Sequence, residues 1–205
     1  MKFYLLVCSF SLLVAASISF SQESDTKIGL GVSLNPTALF ENSNNSTMYL
    51  PIGFTNIYVP VTIGQMFRIE PEVGIFSRSS ESSSGSYSNT NTSTLFRLGI
   101  GLFRILPYDE TFHAYIGSRI GILLSSSTSS YTGSSESSTS ETDFFIGIAA
   151  GGEYLFSSHF SIGGEVQLNY VSFGEPSITP APLTSSSQSQ SIITNNALMF
   201  FRWYF

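Results

Sequence analysis

The sequence predicts an all-β fold, an antiparallel up-and-down barrel of eight strands, from three observations. Apolar residues recur at every second position; eight segments with this alternation follow one another; and the connections between them are alternately short and long. Alternation with period two gives a strand two unlike faces. Strands of this kind, joined in turn by tight and long connections, are typical of a closed barrel whose two rims differ.

The alternation is clearest between residues 95 and 106. Phe96 and Ile100 belong to an apolar face, whereas Arg97 and Gly99 belong to the opposite face. Residues 67–78, 144–156 and 160–169 repeat the pattern. The non-apolar face carries small residues and a few charges that nearly balance, which suits an enclosed polar lumen better than a water-exposed surface. We therefore predict that the apolar face meets lipid and that the barrel is transmembrane.

The eight predicted strands cover residues 26–34, 54–63, 67–78, 94–106, 111–124, 143–156, 159–173 and 192–205. Most are long enough to cross a bilayer as tilted strands, which takes about 9 to 11 residues. Short connections fall at residues 64–66, 107–110 and 157–158, and long ones at 35–53, 79–93, 125–142 and 174–191. The long connections are rich in Ser and Thr, so we predict mobile, solvated loops.

Two prolines disturb this pattern. Pro60 and Pro71 lie inside the predicted second and third strands, where each removes a hydrogen-bond donor from the ladder. We expect a bulge or a local strand edge at these positions.

The first residues resemble a secretory leader. Lys2 is followed by a short apolar run and then by small residues up to Ser21, so we predict a signal peptide over residues 1–21 and a barrel domain over residues 22–205. Cys8 is the only cysteine and lies in that leader, which leaves no disulfide and no thiolate metal site in the exported chain.

Composition and charge exclude further classes. Charged residues make up 11% of the sequence, against about 25% in an ordinary soluble domain. After the leader, seven basic residues face fourteen acidic ones, a net charge of −7. We therefore expect no nucleic-acid partner.

The charges on the predicted lumen face suggest one candidate site. We predict that they form a network that plugs the lumen, in which Arg97 and Arg119 lie opposite or nearly opposite each other and share carboxylates from Glu70, Glu72 or Glu165. The predicted members are Arg68, Glu70, Glu72, Arg97, Arg119, Glu153, Glu165 and Arg202.

The last strand is rich in aromatic residues and ends in Phe205, and two further runs, Tyr58-Val-Pro-Val-Thr-Ile-Gly64 and Arg68-Ile-Glu-Pro-Glu-Val-Gly74, have the two-faced pattern. With these features the chain resembles the small OmpA/OmpX-type barrels and the wider outer-membrane β-barrel "porin family". The resemblance implies a Gram-negative outer membrane, contact with its lipid, and a C-terminal signal formed by Phe201, Trp203 and Phe205 that the barrel-assembly machinery reads.

Little in the sequence points to catalysis. His113 and His159 are the only imidazoles; we expect His113 to be a packed polar residue and His159 a solvated turn residue, with no serine or carboxylate beside His113. The mid-strand glycines form no phosphate loop and are expected to make space or bend the wall. We predict no catalytic, cofactor or metal site.

Three functions stay open. The first is a non-enzymatic, monomeric anchor that presents loops 35–53, 79–93, 125–142 and 174–191 to a surface ligand. The second is a narrow pore for small solutes or ions, and the third is a lipid-modifying enzyme. We favour the anchor, since an eight-stranded barrel is only wide enough for side chains to fill it.

Overall fold

The computed structural model describes residues 26–35, 56–64, 66–107, 109–133, 136–180 and 190–205. The predicted signal peptide lies outside these ranges. Within them, no helix is long and apolar enough to cross a membrane. Ten strands are present: β1 Thr26–Leu34, β2 Asn56–Tyr58, β3 Val61–Ile63, β4 Phe67–Ser84, β5 Tyr87–Pro107, β6 Phe112–Tyr131, β7 Ser137–Leu155, β8 Phe160–Ser172, β9 Ser177–Thr179 and β10 Ser191–Tyr204.

These strands form a closed antiparallel barrel of eight staves. β2 and β3 both pair with β1 and β4 and are two halves of one stave, and β9 adds only three residues beside β7. From β4 to β8 each strand pairs with the next, β8 pairs with β10, and β10 pairs with β1. The predicted all-β, eight-stranded up-and-down barrel is confirmed.

The first and last strands close the barrel. Their register runs from Gly29 opposite Tyr204 to Leu34 opposite Met199, and the Phe205 N–H donates to the Ile28 carbonyl at 2.9 Å. This is the predicted closure. It leaves neither strand with an open edge, which a lipid environment requires because lipid offers no hydrogen-bond partner.

The faces are those that the alternation predicts. Ile148 and Val166 point outward and are 65% and 62% exposed, whereas Glu70 and Glu153 point inward and are fully buried. A barrel with charges inside and large apolar side chains outside is the reverse of a soluble protein. The outward apolar band spans residues 96–106 of β5, about the length that crosses a bilayer.

The prolines interrupt one stave without a bulge. β2 ends at Tyr58 opposite Glu72, and β3 begins at Val61 opposite Ile69, so two residues intervene on each side and the register is unchanged. The carbonyls of Pro60 and Pro71 still accept hydrogen bonds, from Gly29 and Val59. Only the missing proline donors break the ladder, and the prediction of a bulge or a local strand edge is wrong, because the stave keeps its register and is paired on both sides.

Two of the long connections are not the mobile loops that we predicted. The ranges 79–93 and 125–142 are almost entirely strand, because β4 to β7 continue beyond the apolar band as two long hairpins. β9 lies in the predicted loop 174–191 and pairs with residues 138–140. We call residues 77–94, 125–142 and β9 the protruding sheet. Of the other long connections, residues 36–55 and 181–189 lie outside the described ranges.

Cross-strand pairs explain why so polar a sequence forms strands. Ser77 and Ser79 share hydrogen bonds with Thr94 and Thr92, at 3.2 and 3.1 Å between hydroxyl oxygens. Thr is β-branched and favours extended backbone. A two-residue turn with Gly85 at φ 61° closes the first hairpin in the left-handed region that glycine adopts easily. Low hydrophobicity alone therefore did not identify loops here.

The barrel has a tight-turn end opposite the protruding sheet. In the turn between β5 and β6, the Asp109 Oδ1 accepts hydrogen bonds from the Thr111 N–H, the Thr111 hydroxyl and the Phe112 N–H, at 2.7, 2.8 and 2.6 Å. These bonds to Thr111 and Phe112 lower the pKa of the Asp109 carboxyl below its ordinary value. The ionised carboxylate thus fixes the turn that joins the two longest strands.

The closing strand leads to a first prediction. Replacing Trp203 and Phe205 by Ala should reduce assembly into the membrane far more than deleting residues 126–139. The first change weakens the strand that closes the barrel, whereas the second shortens a hairpin outside the apolar band. Membrane yield and heat-modifiable gel mobility measure this. Equal yields for the two variants would contradict the prediction.

Candidate functional site

All eight charged residues predicted for the lumen are buried inside the barrel, at 4% exposure or less. They come from six of the eight staves. Four are arginines and four are glutamates, so the set is electrically neutral. The residues are Arg68, Glu70 and Glu72 on β4, Arg97 on β5, Arg119 on β6, Glu153 on β7, Glu165 on β8 and Arg202 on β10.

Arg119 is the hub of this network. Its Nη2 lies 2.9 Å from Glu70 Oε2, its Nη1 2.8 Å from Glu72 Oε2, and its Nε 2.7 Å from Glu165 Oε1. A second bond joins Nη2 to Glu165 Oε2 at 2.8 Å, so the fork of the guanidinium holds that carboxylate at two points. Arg97 joins the same cluster through its Nε, 2.7 Å from Glu72 Oε1.

A second part of the network lies nearer the tight-turn end. Arg202 lies 2.6 Å from Glu70 and 2.7 Å from Glu153, and Arg68 lies 2.7 Å from the same Glu153 oxygen. Arg68 also approaches Glu70 at 3.6 Å. These four residues form a closed ring of alternating charge, and Glu70 connects it to Arg119. The structure thus brings all eight predicted residues into one connected set.

One detail of the prediction is wrong. Arg97 and Arg119 do not face each other, because Arg97 is opposite Leu123 and Arg119 is opposite Gly101. The offset of four residues is set by the register of the hairpin, which its turn determines. Glu72, opposite Gly99, lies between the two levels and binds both arginines. The carboxylates are shared as predicted, but the two cations never meet directly.

Neutral lumen residues complete the network, and sequence reasoning did not assign them to the site. The hydroxyls of Ser161 and Tyr204 donate to Glu153, the Tyr115 hydroxyl donates to Glu165 at 2.9 Å, and Gln167 donates to Glu165 at 2.6 Å. Glu153 and Glu165 therefore have polar partners beyond their arginines, whereas the bonds of Glu70 and Glu72 are to arginines. The alternation places all four residues on the lumen face, and this was the only available signal for them.

Aromatic rings fill the space between the arginines. The Arg202 guanidinium lies 3.9 Å from the centroid of the Phe200 ring, and Arg97 and Arg119 lie 4.0 and 4.8 Å from the rings of Phe145 and Phe103. A cation over an aromatic face is attracted by the ring quadrupole, so these rings stabilise the arginines as well as exclude water. The lumen is a packed layer of charges and rings.

Glycines make room for this layer, as the sequence suggested. A Cβ atom on Gly99 would lie 2.8 Å from a Glu72 oxygen, and one on Gly101 would lie 3.0 Å from Arg119 Nη1. Real Cβ contacts are not that short. At these positions the lumen face of the wall carries no side chain, which leaves space for the arginine side chains that cross the lumen.

An apolar cluster lines one side of the lumen between the ion network and the protruding sheet. Leu95, Leu123, Phe145 and Val171 come from four adjacent strands and are buried, and Phe173 packs against them. On β5, Leu95 is the next lumen residue beyond Arg97. A charge crossing the barrel would have to pass this cluster and the ion network.

The histidines offer no clear catalytic set. His159 is exposed in the turn between β7 and β8, as expected. His113 is opposite Glu153 on the neighbouring strand, so a carboxylate comes near it in the sheet. The Glu153 oxygens, however, are held by Arg68, Arg202, Ser161 and Tyr204. In the part of the chain that the structure describes, no three His, Cys, Asp or Glu side chains are grouped as a metal site.

The hub position of Arg119 leads to a second prediction. Arg119→Ala should lower the free energy of unfolding by about 3 to 5 kcal/mol, because it leaves the buried Glu165 without its cation and the lumen with a net negative charge. Arg97→Ala should lower it less, since Glu72 keeps Arg119 as a partner. Trp203, the single tryptophan and an outward residue, reports urea unfolding in lipid vesicles by its fluorescence.

Arg78→Ala is the control, since Arg78 is exposed in the protruding sheet and its loss should change stability by less than about 0.5 kcal/mol. Equal effects of Arg97→Ala and Arg119→Ala would contradict the assignment of Arg119 as the hub.

Comparison with known proteins agrees with this architecture. Ail, the attachment invasion locus protein of Yersinia pestis, is similar over 89% of this chain and 99% of its own, with 13% identity and a TM-score of 0.51. Its complex with the heparin analogue sucrose octasulfate gives 0.52. OprH from P. aeruginosa covers 89% of this chain and 100% of its own, with 13% identity and a TM-score of 0.45. At 13% identity, the likeness to Ail indicates a shared fold alone.

A search of curated proteins gives no match. A family model described as outer membrane protein beta-barrel domain matches residues 5–195, which is most of the sequence. The chain therefore belongs to the family of outer membrane protein beta-barrel domains, and its location is the bacterial outer membrane.

Proposed function

We propose that this protein is a non-enzymatic, monomeric membrane anchor that presents a polar β-sheet at the cell surface. The single observation that carries the proposal is the filled lumen. Eight buried charges and the rings stacked on them occupy the interior of a barrel that is already narrow. Such an interior holds the wall together and leaves function to the parts outside the membrane.

The protruding sheet supports a surface role. Residues 77–84 extend β4 by about 26 Å along its own direction beyond the apolar band. In outer-membrane barrels the tight turns are periplasmic, so this sheet lies outside the cell. Its side chains are mostly Ser, Thr and Asn, which can donate and accept hydrogen bonds on both faces. We propose it, with loops 35–53 and 174–191, as the contact region for a surface ligand.

The narrow pore is the second candidate, and one observation favours it. Several buried lumen atoms have no hydrogen-bond partner among the described residues, including Arg97 Nη2, Arg202 Nε and the Tyr58 hydroxyl. Polar atoms of this kind attract water. A chain of water through the lumen would conduct ions only if it also crossed the apolar cluster at Leu95 and Leu123.

Planar-bilayer recording decides between the two, which is the third prediction. The purified barrel should show no steady conductance steps, because the ion network and the apolar cluster block the lumen. The variant Glu72→Ala/Arg97→Ala/Leu123→Ala keeps the lumen neutral, removes the Arg97–Glu72 and Arg119–Glu72 ion pairs and opens the apolar cluster, so it should conduct more than the native protein. Stable conductance steps in the native protein would contradict the anchor proposal and support the pore.

A fourth prediction tests the surface role. Residues 79–92 and 127–139 are each replaced by Asn-Gly, a dipeptide suited to a two-residue hairpin turn. Cells carrying this shortened protein should attach less to a surface than cells carrying the native protein do, while the barrel assembles as before. The surface is one to which the native protein promotes attachment.

A variant with residues 79–92 replaced alone separates the two hairpins, and surface labelling verifies equal protein levels. Unchanged attachment after loss of both hairpins would contradict the proposed role of the protruding sheet.

A further inference from the structure

Two arginines of the barrel stand outside the lumen network. Arg78 lies in the protruding sheet, and Arg104 lies on β5 near the tight-turn end. Along β5 the lumen positions are Arg97, Gly99, Gly101 and Phe103, so Arg104 projects from the opposite, outward face. It is exposed there. A full positive charge thus points from the wall that meets lipid.

The surroundings of Arg104 are apolar. Leu102 and Leu106 flank it on its own strand, Phe67 is its partner on β4, and Ile116 is its partner on β6. All four are exposed, large and hydrophobic. These four side chains meet acyl chains in the membrane, so the Arg104 guanidinium is surrounded by lipid-facing apolar groups.

The depth of Arg104 in the bilayer determines the free-energy cost of its charge. A cation on the outside of a barrel is costly at the midplane and nearly neutral in free energy at the interface. Arg104 is three residues from the end of β5, and Phe112 and Trp203 lie at the same rim. Because the arginine stem is long and apolar, its head can reach the headgroup level while its stem stays among the acyl chains.

The described part of the chain supplies no counterion for this head. Among the described residues, no carboxylate lies within ion-pair distance of Arg104. Asp109, in the adjoining turn, already binds Thr111 and Phe112. The neighbours that remain are the headgroups of the periplasmic leaflet, which consists of glycerophospholipids.

We propose that Arg104 binds the phosphate of a glycerophospholipid in the periplasmic leaflet. The planar fork of the guanidinium matches two phosphate oxygens, and a charge-assisted pair is stronger than a neutral hydrogen bond. Phe67 and Ile116 hold the acyl chains beside it. The site fixes the depth of the barrel at its tight-turn rim, a property separate from the surface role proposed above.

Native mass spectrometry of the purified barrel tests this fifth prediction. The probes are phosphatidylglycerol and monogalactosyldiacylglycerol, an uncharged lipid without phosphate. Arg104→Gln should lower retention of phosphatidylglycerol about fivefold, the factor expected for one cation near a lipid phosphate, and should leave the galactolipid unchanged. Arg104→Lys should recover part of the retention, because it keeps the charge and loses the fork.

Arg78→Gln is the matched control, since it also removes one exposed arginine but at the opposite end, and it should leave phosphatidylglycerol retention unchanged. Glu110→Gln tests the remaining carboxylate of the turn as an internal partner. Equal retention by the native protein and Arg104→Gln would overturn the proposal. A rise in phosphatidylglycerol retention with Glu110→Gln would show that Arg104 pairs with Glu110 instead. A change of oligomeric state with Arg104→Gln would show that Arg104 contacts a second copy of the chain.

A second measurement separates phosphate binding from an effect of Arg104 on folding. Urea unfolding followed by Trp203 fluorescence, in vesicles of each lipid, should separate Arg104→Gln from the native protein only where phosphate is present. The same difference in both kinds of vesicle would show a structural role for Arg104 and contradict phosphate binding.

Discussion

Backbone hydrogen bonding in lipid is the constraint on which the rest of this structure depends. Each strand must find partners on both sides, because acyl chains can neither donate nor accept. The chain meets this requirement by pairing Gly29 to Leu34 with Met199 to Tyr204, which closes the sheet after eight staves. Closure with so few staves makes the lumen narrow, and that width decides what can be inside.

The narrow lumen accounts for the ion network. Charged side chains that point inward are removed from bulk water, and each requires an opposite charge and further hydrogen bonds to offset its desolvation. Arg119 with its three carboxylates, and Glu70 with its three arginines, show how these side chains meet the requirement by sharing partners. Glycines such as Gly101 leave space for the arginines, and rings such as Phe200 fill what remains.

The two ends of the barrel have different surroundings. At the tight-turn end the strands stop at turns such as the one fixed by Asp109, and exposed aromatic side chains such as Trp203 lie near this rim. At the other end β4 to β7 continue as paired strands of Ser and Thr into water. The ion network and the rings packed on it lie between these two ends.

Alternation along the chain was enough to predict the class of fold, the faces of the strands and the identity of the eight lumen charges. Side-chain direction in a strand has period two, which is a local property that can be counted along Phe96, Arg97, Leu98 and Gly99. Only the tertiary structure decided which charges meet. Register depends on turn geometry and on closure between distant segments, and it placed Glu72 between Arg97 and Arg119 instead of setting the two arginines face to face. The protruding sheet likewise depended on pairing between strands. The composition of a Ser- and Thr-rich segment shows that it has little apolar surface to bury. It does not show which cross-strand hydrogen bonds the segment can form.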